Sequence, residues 1–185
     1  MRHARLPPAF QLVILPGTEN PRNIALNEVL ASGETADGLV LWRESGLRLD
    51  CVFAVHLEEG ETASSAVDLM VVALVDTLAA VLPSSVSLNI VPTATVMLDG
   101  APLAQIDIVG EDAAEGGAIG LAVDIPVAGQ AFGTSLQAAG AVNLTTADLL
   151  EALAGHVLEW ALRVDEEGPR LLWATLDARR IGKPH

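Results

Sequence analysis

Residues 87–111, SLNIVPTATVMLDGAPLAQIDIVGE, contain the pattern that decides the fold. Apolar and β-branched residues predict strands over 86–90, 95–98 and 103–109. Asp99 and Gly100 separate the second strand from the third, and this pair favours the positive φ angles of a two-residue hairpin loop. The stretch therefore predicts antiparallel strands near the middle of the chain.

The flanking segments add helices and further strands. Residues 62–82 place apolar side chains at helical spacing, and Pro83 ends the pattern. Thr145 or Thr146 is a predicted cap of another helix, and Asn20 before Pro21 predicts a shorter one. Since strands and helices do not alternate regularly, the order predicts an α+β fold, with a mixed, mostly antiparallel sheet and helices packed on one face. Further strands are predicted at 10–15, 39–42, 49–57, 118–125 and 170–176.

The length of 185 residues predicts one domain over residues 1–178, followed by a mobile basic tail over 179–185. We expect no membrane span, because no apolar run approaches about 20 residues, and no secretory signal. Cys51 is the one cysteine, so an internal disulfide is excluded. These features together predict a cytoplasmic protein.

The charge balance argues against some partners. The chain has 24 acidic residues and 10 Lys and Arg residues, for a net charge of −14. Nucleic acids and anionic membranes bind clustered basic residues, so neither is an expected partner. His56 lies near Glu58, Glu59 and Glu61, but the spacing fits no zinc or calcium motif. No metal site is predicted.

Several segments, taken in order, resemble the biotin/lipoate protein ligase family. Residues 87–111 resemble the hairpin that carries the family's WPND and KLAG motifs. Residues 118–125, AIGLAVDI, resemble the GIGINVN strand, and residues 134–136, TSL, resemble the motif that follows it. Residues 146–160 resemble the helix that closes the catalytic domain. The resemblance implies the fold shared by class II synthetases and the biotin ligase catalytic domain.

The resemblance also implies a chemistry. Enzymes of this family activate a biotin or lipoate carboxylate with ATP and pass the acyl group to a lysine of a carrier protein. The family's catalytic lysine falls at Pro102, and the one lysine of the chain is Lys183. Pro92 survives from WPND, while Thr93 and Ala94 replace its polar pair. The residues that the resemblance places at a ligand site are Arg43, Arg48, Pro92, Thr93, Gln105, Gly120 and Asp124.

These replacements predict a ligase-like protein that has lost catalysis, with no catalytic residue, metal or cofactor. It would bind a small carboxylate or acyl ligand, a carrier domain or a second copy of itself. One alternative is an active ligase or acyltransferase with an atypical site, which would require ATP and biotin or lipoate. Another alternative is a structural module that dimerises.

Overall fold

A computed structural model describes residues 4–29, 36–59, 61–92, 94–110, 117–129 and 134–180. The described residues form a seven-stranded sheet in the spatial order β1-β2-β3-β7-β6-β5-β4. The first two strands are parallel, and every other neighbouring pair is antiparallel. This arrangement confirms the predicted mixed, mostly antiparallel sheet. The strands are β1 Gln11–Leu15, β2 Leu39–Arg43, β3 Arg48–Leu57, β4 Leu88–Val91, β5 Thr95–Leu98, β6 Ala101–Val109 and β7 Gly117–Pro126.

The hairpin between β5 and β6 has the predicted turn. Asp99 and Gly100 have φ angles of 48° and 82°, as a two-residue loop of this kind requires. The Asp99 carboxylate also accepts a hydrogen bond of 2.8 Å from the backbone N–H of Ser87. The turn therefore also fixes the start of β4.

Within the described ranges four helices accompany the sheet, and capping side chains fix where three of them begin. They are α1 Pro21–Ile24, α2 Ala63–Val81, α3 Thr146–Glu167 and α4 Arg170–Arg179, and α1 continues as a π-helical turn over Ala25–Val29. The Asn20 side chain accepts from the N–H of Arg22, as predicted. Thr62 and Thr145 form capping boxes at α2 and α3.

The two faces of the sheet are covered unequally. On β3, Leu49, Cys51 and Phe53 belong to a large core shared with α2, α3 and α4. Val52 and Ala54, which point the other way, belong to a small cluster beside α1. The three long helices thus pack on one face as predicted, while the short α1 lies on the opposite face. That second face carries the candidate site.

Helix α2 is the centre of the larger core. Residues 70–75 are buried all round the helix, between the sheet and the other two long helices.

By length and composition alone α2 could cross a membrane, so the expectation that no segment qualifies is wrong. Asp68 and Asp76 interrupt the apolar residues of α2, so the sequence shows no single apolar run as long as the helix. Asp68 pairs with Arg180, which follows α4, and Asp76 pairs with Arg179, the last residue of α4.

The last predicted strand is also wrong, because residues 170–176 lie in α4. Leu172 and Leu176 are four positions apart and both are buried, as on one helix face. A short apolar run cannot distinguish helix from strand without such contacts. Arg179 ends α4, and Arg180 forms a bridge with Ile90 on β4, so the folded part extends past the predicted boundary at 178. The expected mobility of residues 181–185 falls outside the described residues.

One carboxylate ties the three long helices together. Asp76 on α2 accepts a hydrogen bond of 2.8 Å from the indole N–H of Trp160 on α3. Its other oxygen accepts one of 2.7 Å from the guanidinium of Arg179 on α4. Trp160 is buried, so without Asp76 its N–H would be left without that partner in the core.

We predict that Asp76→Ala lowers the free energy of unfolding by about 1–3 kcal/mol, because it leaves a buried donor and a cation without their acceptor. Urea unfolding followed by circular dichroism measures the change. Glu166→Ala, at an exposed position near the end of α3, is the control and should change stability by less than about 0.5 kcal/mol. Equal effects of the two variants would contradict this role of Asp76.

Candidate functional site

A row of polar side chains crosses the less covered face of the sheet. Cross-strand register aligns Arg43 with Asp50, Asp50 with Asp124, Asp124 with Gln105, and Gln105 with Thr95. These five residues, the polar row, come from five adjacent strands and share one face. Neighbouring strands are about 4.8 Å apart, so the row extends over roughly 19 Å.

Each acid in the row has an arginine partner. Arg43 pairs with Asp50, and Arg48 forms two parallel hydrogen bonds of 2.8 Å with Asp124. These hydrogen bonds raise the pKa of Arg48. Bidentate pairing of this kind is the strong form of the arginine–carboxylate contact. The row is therefore held by charge pairs between neighbouring strands.

A third pair lies beside the row. Arg22, from α1, contacts Asp107 on β6 at 2.7 Å. The amide of Gln105 donates a 2.7 Å hydrogen bond to the other oxygen of Asp107. Helix α1 is thus linked to the sheet face through Arg22, and the row is linked to this pair through Gln105.

The environment of Asp50 differs from that of the other acids because it is nearly buried. Burial raises the pKa of Asp50 above its ordinary value of 3.8, and the facing carboxylate of Asp124 adds to the effect. Arg43 acts in the opposite direction. Two acids directly opposite each other repel, so the arginine partners make this arrangement tolerable.

The row borders an open cleft of about 290 Å³. Its floor includes Gln105 and Asp124, and its walls include Arg22, Arg48 and Pro102. A proline side chain has no charge and no donor, so Pro102 contributes only apolar surface to the cleft. The complete lining is Arg22, Arg48, Thr95, Pro102, Leu103, Ala104, Gln105, Asp107, Asp124 and Pro126.

The structure brings together four of the seven predicted ligand-site residues: Arg43, Arg48, Gln105 and Asp124. Pro92 instead lines a small cavity beside α2 and α4, on the other side of the sheet. Gly120 is buried between Val52 and Val109, and it does not line the cleft. Thr93 lies outside the described residues.

Four residues of the site were missed from the sequence: Arg22, Asp50, Thr95 and Asp107. Two of them could have been recognised in the sequence, because Asp50 and Asp107 each place a charge within a mainly apolar strand. An acid at such a position requires a partner. Nothing in the sequence indicates Arg22. It lies near the cleft because α1 packs against the second face of the sheet.

Other candidate chemistry is not supported within the described part of the chain. No group of three or more His, Cys, Asp or Glu side chains there is arranged to hold a metal ion. Cys51 is fully buried, and burial raises the pKa of its thiol, as expected for a core residue.

Comparison with known proteins identifies what the fold resembles. The model of the biotin/lipoate A/B protein ligase family matches residues 6–176. A biotin protein ligase-like protein of unknown function from Silicibacter sp. TM1040 superimposes with a TM-score of 0.82 at 19% identity, over 97% of this chain and 81% of that one. No curated protein matches.

Two solved ligases share the fold at lower similarity. The biotin protein ligase from Aquifex aeolicus, in complex with biotin and ATP, gives a TM-score of 0.73 at 10% identity, over 92% of this chain and 78% of that one. The biotin protein ligase from Leishmania major, in complex with biotin, gives a TM-score of 0.68 at 13% identity, over 97% of this chain and 84% of that one. Both likenesses show the predicted α+β fold.

Gly120 generates a prediction about packing. A Cβ atom there would lie 2.8 Å from Cγ1 of Val52 and 3.2 Å from Cβ of Val109. We expect Gly120→Ala to lower the free energy of unfolding by about 1–3 kcal/mol through overpacking. The control is Gly155→Ala on α3, where nothing lies within 4 Å and helix propensity should stabilise by about 1 kcal/mol. Thermal unfolding compares the two, and a neutral Gly120→Ala would contradict the packing role.

Asp50 generates a prediction about pH. Its pKa is raised in the folded state, so its contribution to stability is full below pH 3.8 and is lost as the pH rises through the folded-state pKa. The Asp50→Asn variant lacks this titration. Its stability relative to wild type should therefore improve as the pH rises from about 4 to about 7.

Urea unfolding across that pH range measures the trend in Asp50→Asn. The slope includes the effect of the Arg43 pair, because that pair forms only with the ionised Asp50 carboxylate. The exposed Asp165→Asn is the control and should show no such slope. A slope of the opposite sign in Asp50→Asn would show that Arg43 outweighs burial.

Proposed function

Because this chain belongs to the biotin/lipoate A/B protein ligase family, we propose that it is a ligand-binding member that does not catalyse ligation. It keeps the family's fold and an open cleft on the second face of the sheet. The ligand is a small polar molecule held between β5, β6, β7 and α1. The reaction is lost because the cleft no longer offers uncompensated positive charge.

The observation that carries this proposal is the pairing of the cations near the cleft. Of the ten Lys and Arg residues, Arg22, Arg43 and Arg48 lie on this face among the described residues. Each contacts an aspartate: Asp107, Asp50 and Asp124 respectively. Pro102 adds no charge to the wall.

Adenylate chemistry places strong demands on such a site. Activating a carboxylate with ATP brings phosphate charge together with a developing negative charge, which fixed cations and donors must stabilise. Loss of one such group typically costs about 10²–10³ in rate. In this cleft each arginine charge is already balanced by a carboxylate. More than one of the groups that would stabilise the developing negative charge is therefore lacking.

Binding, by contrast, remains compatible with the geometry. The cleft volume of about 290 Å³ lies near the lower end for small-molecule sites. It combines donors on Arg48 and Gln105 with acceptors on Asp107 and Asp124, next to apolar surface from Pro102. Because six of its ten lining residues are charged or polar, the cleft suits a polar ligand better than an apolar one.

We predict no ATP–pyrophosphate exchange above background with biotin, lipoate or octanoate, even at high protein concentration. Exchange reports adenylate formation directly and does not depend on knowing a carrier protein. The biotin protein ligase of Aquifex aeolicus, assayed alongside with biotin, is the positive control. Exchange with any of the three acids would overturn the proposal.

The variant Pro102→Lys tests whether a single lysine is the missing part. We expect it to remain inactive, because Arg22 and Arg48 stay compensated by Asp107 and Asp124. Circular dichroism confirms that the variant folds. Exchange in Pro102→Lys alone would show that the rest of the site is still competent, against the reasoning above.

A further inference from the structure

The charges that line the cleft cancel. Among the described residues its ionised side chains are two arginines and two aspartates, arranged as the pairs Arg22–Asp107 and Arg48–Asp124. The contact distances are 2.7 and 2.8 Å. A ligand therefore meets both signs of charge at close range and no net charge.

Both members of the Arg48–Asp124 pair keep unused hydrogen-bonding capacity. The guanidinium has five N–H donors, and the two bonds to Asp124 leave three. The Asp124 carboxylate has about four acceptor positions, of which Arg48 uses two. About a third of each side chain is exposed, and both residues line the cleft.

A simple anion fits this arrangement poorly. A carboxylate that reaches the free donors of Arg48 lies beside Asp124, and Asp50 faces Asp124 from the next strand. The anion would add a like charge next to two carboxylates and bring no partner for them. The net charge of −14 opposes it at long range as well.

We propose that the cleft binds a small zwitterion whose carboxylate contacts Arg48 and whose ammonium group contacts Asp124. Such a ligand lies antiparallel to the existing pair, so that every charge has an opposite neighbour and no protein contact breaks. This deepens the proposed function and rests on it, because it specifies the ligand of the same cleft.

The size and walls of the cleft limit the rest of the molecule. A volume of about 290 Å³ equals roughly ten waters at ~30 Å³ each, which suits a free amino acid. Pro102, Leu103, Ala104 and Pro126 provide apolar lining for a short side chain. The chemical class is therefore an α-amino acid with a small aliphatic side chain.

The test uses leucine and two analogues that each lack one of its charged groups. Leucine is the zwitterion, 4-methylpentanoate lacks the ammonium group, and 3-methylbutan-1-amine lacks the carboxylate. Isothermal titration calorimetry at neutral pH should show leucine binding at least about tenfold more tightly than either of the others. No binding of leucine, or equal binding of 4-methylpentanoate, would overturn the inference.

Variants of the pair show whether the preference comes from this site. Asp124→Asn removes the partner of the ammonium group and the charge that repels anions. Leucine should then bind about tenfold more weakly, and 4-methylpentanoate about tenfold more tightly. Arg48→Gln should weaken both, and Asp165→Asn, on the exposed face of α3, should change neither. An Asp124→Asn variant with unchanged preference would contradict the assignment.

The two proposals can fail separately. If exchange of ATP and pyrophosphate occurs with an acid, the loss of catalysis is wrong. If there is no exchange but 4-methylpentanoate binds wild-type protein as well as leucine does, the loss of catalysis stands and the zwitterion assignment is wrong. The wild-type probe series decides the second question even if a variant does not fold.

Discussion

The antiparallel pairing of β3 with β7 is the constraint on which the rest of the structure depends. Its register runs unbroken from Arg48 opposite Pro126 to Leu57 opposite Gly117. One set of side chains, such as Cys51 and Val123, faces the long helices, while Asp50 and Asp124 lie on the second face of the sheet. A slip of one residue would exchange the two sets, placing acids in the core and apolar side chains at the site. Burial of the core thus also aligns the charges.

Much of the fold was predictable because local patterns agree with it. The Asp99-Gly100 turn, the apolar spacing of α2 and the caps at Asn20 and Thr145 each specify structure through neighbouring residues. The segment that became α4 shows the limit. Its helix is stabilised by the burial of Leu172 and Leu176 in the core and by the pairing of Arg179 with Asp76, and the sequence alone specifies neither.

The candidate site was predictable in part, and the reason lies in how it is assembled. The family resemblance selected Arg43, Arg48, Gln105 and Asp124, which the register places next to one another. It could not assign partners, because each pair joins residues from different elements, such as Arg48 on β3 and Asp124 on β7. The resemblance also placed Gly120 at the site, but Gly120 does not line the cleft, and the absence of a side chain there accommodates Val52.

The bridge between Ile90 and Arg180 has a consequence beyond the site. Strand β4 ends the sheet, and an unprotected edge strand offers free N–H and C=O groups to strands of other molecules. The end of α4 lies against this strand, and its Arg180 is anchored to Asp68. The end of α4 therefore hinders pairing of other strands with this edge, an effect that comes from its position and not from the core it buries.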